Sequence, residues 1–116
     1  MPLSIRRDIG QLLIGSLPGT TIPRELRSLA REFQLGGVIL FARNIEAPEQ
    51  VAELSRDVQS LASDVPLWVS IDQEGGRVAR LRAPFTEWPP MAVLGRCGDV
   101  TLASRFATAL AAELKA

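Results

Sequence analysis

Between Val69 and Leu81 the chain reads VSIDQEGGRVARL, an apolar run that passes at once into Asp72, Glu74, two glycines, Arg77 and Arg80. Extended backbone would put the Asp72 and Glu74 carboxylates on one side, roughly 7 Å apart. Inverting glycosidases hold their acid and base about 6.5 to 9.5 Å apart. That geometry, however, rests on a backbone that Gly75 and Gly76 invite to turn. A sugar clamp asks less of the chain: Asp72 would accept hydrogen bonds from two hydroxyls while Arg80 donates to others, both bonds assisted by charge. A structural alternative stands beside both. Asp72 would cap a turn, Glu74 would pair with Arg77 or Arg80 at the surface, and the glycines would let the chain reverse. Residue types alone favour this last reading.

Other groups offer less. Gly75-Gly76-Arg77 could bind an anion, but neither GxGxxG nor a phosphate loop with its lysine is present. Arg43-Asn44 could line a mouth or solvate a turn. Trp68, inside an apolar run, is expected in the core, and Trp88, in a proline-rich loop, could stack on a sugar ring. Cys97 is the one cysteine and the chain has no histidine, so no zinc site, disulfide or imidazole-activated thiol is expected, and Cys97 is read as a buried structural thiol. Thirteen basic and thirteen acidic residues cancel, which argues against a nucleic-acid partner. The N-terminal MPLSIRRDIGQLLIGSLPG is interrupted by Asp8 and Gln11 and falls short of the roughly 18 apolar residues of a membrane span.

The elements that must position these groups follow from periodicity. QLLIGSL, 11–17, reads as a strand closed by Pro18-Gly19. IPRELRSLAREF then places Leu26, Leu29, Ala30 and Phe33 at helical spacing, with Pro23 in the first turn and Thr21 as a possible cap. GGVILF, 36–41, lacks alternation and suits a strand buried on both faces of a parallel sheet. PEQVAELSRDVQSLAS, 48–63, sets Val51, Leu54, Val58, Leu61 and Ala62 on one stripe of a second helix. LWVSI, 67–71, is a third strand, ending at Asp72. A long loop carrying Pro84, Pro89 and Pro90 leads to Asp99 as N-cap of a last helix, with Ala103, Phe106, Ala107, Leu110, Ala111 and Leu114 on one face. The order is that of βα units around a parallel sheet, either a doubly wound sheet or part of a (β/α)8 barrel. AAELKA stops within a helical pattern, as a truncated chain would.

GGVILFARN (Gly36 to Asn44) and, about thirty residues on, IDQEGGRVARL (Ile71 to Leu81) resemble the N-terminal part of glycoside hydrolase family 3, above all its NagZ-type β-N-acetylhexosaminidases; FTEWPPMAVLG and the helix ending AAELKA extend the likeness. The resemblance implies an α/β fold, the first three βα units of a truncated (β/α)8 TIM barrel, with 1–116 the N-terminal part of a single catalytic domain. It implies a retaining exo-β-N-acetylglucosaminidase acting on terminal N-acetylglucosamine of muropeptides in peptidoglycan recycling, without cofactor or metal, cytoplasmic, with a carbohydrate partner and a monomeric full-length protein. It maps sugar ligands to Asp72 and Arg80 and a loop-shaping role to Glu74, Gly75, Gly76 and Arg77. It puts no catalytic residue in this chain, because the family's histidine acid/base and aspartate nucleophile come later; the chain by itself is expected to be inactive and to expose apolar strand edges. A family 3 β-glucosidase, a non-catalytic carbohydrate-binding relative and a self-contained small α/β domain are the alternatives.

Overall fold

The computed structural model describes residues 3–62 and 64–115, and the chain divides into two compact units, Met1–Asp72 and Gln73–Ala116. Expectations at Ser63 and Ala116 lie outside the described residues.

In the first unit the order is α1 (Leu3–Gln11), β1 (Ile14–Gly15), α2 (Arg24–Phe33), β2 (Gly37–Leu40), a 3-10 turn (Ala42–Asn44), α3 (Pro48–Gln59) and β3 (Trp68–Ile71). The strands pair in parallel as β1-β2-β3, with Ile14 beside Gly37, Gly37 beside Trp68 and Leu40 beside Ile71. Parallel strands linked through helices are the α/β arrangement expected from the sequence. The core lies where helices meet sheet: Leu26 and Ala30 of α2 and Leu54 and Val58 of α3 close on Val38 and Leu40 of β2, with Leu17, Ile22, Leu35, Leu61 and Leu67 from the connections. Pro48 opens α3 in its first turn, where its missing N–H costs nothing.

Several expectations are corrected. The strand read over 11–17 is two residues long, because Gln11 instead ends the unforeseen helix α1 and its side-chain amide donates to the Gln34 carbonyl at 2.6 Å. Pro23 is the N-cap of α2 and not a first-turn residue, Thr21 does not cap it, and Leu29 is exposed outside the buried stripe. Trp68 is not a core residue. It is 75% exposed, since successive side chains on β3 point to opposite faces and only Val69 and Ile71 reach the core. The face of Trp68 and Ser70 is the one that both-sided burial would have covered. Beside it runs an open groove of about 560 Å³ lined by Gln59, Val65, Pro66, Leu67, Trp68 and Val69.

The second unit opens with an antiparallel hairpin of β4 (Gln73–Gly75) and β5 (Val78–Ala79), followed by α4 (Met91–Cys97) and α5 (Val100–Lys115). The stretch read as a long loop thus contains a hairpin and a helix. Asp99 caps α5 as its position suggested, its Oδ1 accepting from the N–H groups of Thr101 at 2.8 Å and Leu102 at 3.1 Å. The apolar face read on α5 is only partly used: Ala103, Phe106 and Leu110 are half-buried, while Ala107, Ala111 and Leu114 are exposed. No helix among the described residues is long and apolar enough to cross a membrane.

Candidate functional site

Loops at the carboxyl ends of parallel strands gather the functional groups of α/β folds. In the first unit three such ends lie side by side. Asp72, half-buried, leaves β3 directly after Ile71. Leu17 to Gly19 leave β1, and Phe41 to Asn44 leave β2. Neither of the two readings of Arg43-Asn44, lining a mouth or solvating a turn, describes Asn44. It is fully buried at 0% exposure, its Nδ2 donating to the carbonyls of Leu17 at 2.9 Å and Gly19 at 2.7 Å and its Oδ1 accepting from the Phe41 N–H at 2.8 Å. Arg43 is exposed, yet its Nε donates to the same Leu17 carbonyl at 3.0 Å and its guanidinium carbon lies 4.7 Å from the centroid of the Phe41 ring.

The hairpin of the second unit holds the rest of the motif. Gly75 and Gly76 both adopt left-handed backbone, at φ +84° and +59°. At Gly75 a side chain is excluded twice over, by that angle and because its Cβ would collide with the Pro89 carbonyl oxygen. The Gly76 N–H donates to the Trp88 carbonyl at 2.8 Å, tying the turn to the proline-rich segment. Gln73, which the sequence reading passed over, organises the other end: its Oε1 accepts from the N–H groups of Arg80 at 2.8 Å and Leu81 at 3.0 Å, and its Nε2 donates to the Leu81 carbonyl at 2.9 Å. The side-chain amide thus mimics a third strand and fixes the backbone from which the half-buried Arg80 projects. Glu74 and Arg77 are exposed and make no side-chain hydrogen bond or ion pair among the described residues, so the surface pairing of Glu74 does not form.

Two further expectations change. Cys97 is exposed at the end of α4, not buried, because a seven-residue helix with no buried residue has no interior in which to place it. Trp88 is half-buried, its ring meeting Phe106 of α5 edge-on with centroids 4.9 Å apart, while its Nε1 is shielded from solvent with no hydrogen-bond partner among the described residues.

Residues 4–116 match the model of the glycosyl hydrolase family 3 N terminal domain. The chain belongs to glycosyl hydrolase family 3. It is 44% identical over 114 residues to a β-hexosaminidase of Nitrosomonas eutropha, a match covering 93% of this chain and 32% of that protein. Among solved structures it is similar to a family 3 β-N-acetylglucosaminidase from a Paenibacillus species, at TM-score 0.86 and 39% identity over 98% of this chain and 22% of the other. It is also similar to NagZ from Neisseria gonorrhoeae in complex with N-trifluoroacetyl-D-glucosamine, at TM-score 0.66 and 32% identity, covering 72% and 24%. The chain spans about a third of the length of the first curated relative, and its three parallel strands with their helices correspond to the first βα units of the family 3 barrel.

Proposed function

We propose that this chain is the N-terminal part of the single catalytic barrel of a retaining exo-β-N-acetylglucosaminidase, and that Asp72 and Arg80 hold the hydroxyls of a terminal N-acetylglucosamine. The observation that carries this reading is Asp72 at the carboxyl end of a parallel strand, at the head of the run DQEGGRV, in a chain that matches the family 3 N terminal domain. The names of the relatives, β-hexosaminidase and β-N-acetylglucosaminidase, support the substrate class.

The chemistry asked of these residues is orientation. An aspartate carboxylate accepts from two sugar hydroxyls at once, and a guanidinium donates to a neighbouring oxygen in a fixed fork; each such charge-assisted bond contributes about 1.5 to 3 kcal/mol. Glu74, Gly75, Gly76 and Arg77 form the loop through which Arg80 is reached, and no catalytic role is assigned to them. On this reading the acid/base falls to a histidine outside these residues, which contain none, and nucleophilic attack to a later aspartate. The natural substrate on this reading is a muropeptide of cell-wall recycling, met in the cytoplasm by a monomeric enzyme that needs no metal or other cofactor.

The test is binding without turnover. N-acetylglucosamine titrated into the labelled chain is expected to shift the Asp72 and Arg80 resonances, an effect that Asp72→Ala removes. A chromogenic N-acetylglucosaminide is expected to stay intact. Turnover by the chain, abolished in Asp72→Ala, would overturn the assignment of catalysis to later residues.

A further inference from the structure

Asn44 is a fully buried polar side chain among the described residues of the first unit, and both polar atoms of its amide bond to backbone of the β1 and β2 exits. Two donors hold Leu17 and Gly19, and one acceptor holds Phe41. A satisfied polar group in a core permits one arrangement of its partners and penalises the rest, because any slippage leaves a buried donor or acceptor unpaired. The place that is fixed matters. Leu40 lies beside Ile71 as the last pair of the parallel register, and the residues that follow that pair on the two strands are Phe41, whose N–H Asn44 holds, and Asp72. Arg43 repeats the same tie from outside, through the Leu17 carbonyl and the Phe41 ring.

We propose that Asn44 is a positioning residue for the sugar site: by knotting the exits of β1 and β2 it holds the backbone alongside Asp72 and so sets where the Asp72 carboxylate meets its ligand. The inference rests on Asp72 being a sugar ligand. A residue that merely stabilised the fold would lower the unfolding midpoint and leave the affinity of the folded molecules unchanged; a positioning residue changes the affinity too.

The experiment uses the 116-residue chain, N-acetylglucosamine as probe, and two variants. Asn44→Asp is close to isosteric and sets a carboxylate oxygen against the Leu17 and Gly19 carbonyls. Arg43→Ala removes the outer tie and leaves the buried amide in place. Folded Asn44→Asp is expected to bind the sugar roughly tenfold more weakly and Arg43→Ala about threefold, as small displacements of positioned groups do. The Asp72 carboxyl-carbon resonance is expected to move in both before any sugar is added. Wild-type affinity and an unmoved Asp72 resonance in folded variants would overturn the proposal. Should Asn44→Asp not fold, Arg43→Ala decides by the same two readings. Should the unsubstituted chain bind no N-acetylglucosamine, the sugar assignment fails, and the Asp72 resonance alone, moved or unmoved, supports or overturns the coupling.

Discussion

On the proposed reading the Asp72 carboxylate must meet its sugar at the same place each time. Gln73 and Asn44 each use a neutral amide to hold backbone that hydrogen-bonded strands do not reach. Replacing Gln73 with leucine leaves the Arg80 and Leu81 N–H groups without their acceptor, and a loss of about 2 kcal/mol, in the range for partly buried unsatisfied groups, is expected in chemical denaturation. Gly75→Ala meets both a left-handed φ and the Pro89 carbonyl, so destabilisation of about 1 to 3 kcal/mol is expected in the same measurement. Cys97, being exposed, is expected to react with a thiol reagent in the folded chain as fast as in the denatured one. Residue type and spacing singled out Asp72 and Arg80 but favoured a structural turn, and their proposed sugar role comes from the family resemblance. The amides were not legible, because their partners are backbone groups, among them the Leu17 and Gly19 carbonyls more than twenty positions from Asn44, and sequence carries no mark of a backbone group's partner.

At the scale of elements, legibility followed the strength of the periodic pattern. Of the stripe read over 48–63, Leu54 and Val58 are fully buried on α3 with Val51 beside them, while the helix ends at Gln59 and Leu61 and Ala62 pack from beyond it. Leu54→Ala is therefore expected to cost about 2 to 5 kcal/mol, read as a lowered unfolding midpoint. The helix α1 escaped because Ile5 and Ile9 are exposed and trace no buried face. The hairpin β4–β5 escaped because its strands are very short, with a register irregularity between Gln73 and Gly75 that breaks the alternation. On α5 the apolar positions were read correctly as helical, but a helical pattern says that a face exists and not that something covers it.

For the whole molecule, the sheet of the first unit is the part of a barrel that its parallel strands and the family match describe, and its apolar surface reflects that. Trp68, Leu12 and Ile14 are exposed on the outer strands and the segment before β1, where a continuing barrel would place neighbours. Trp68 fluorescence is expected to be quenched readily by iodide and Trp88 fluorescence weakly, with Trp68→Phe removing the quenchable part. On the proposed reading Asp72 holds the sugar of a family 3 N-acetylglucosaminidase. The most direct test of this reading joins this chain to the remaining two thirds of the Nitrosomonas eutropha β-hexosaminidase and measures hydrolysis of a chromogenic N-acetylglucosaminide. The hybrid is expected to turn over substrate and Asp72→Ala to lower kcat/KM roughly 100- to 10,000-fold, as losing two charge-assisted hydrogen bonds implies. An Asp72→Ala hybrid as active as the unsubstituted one would contradict it.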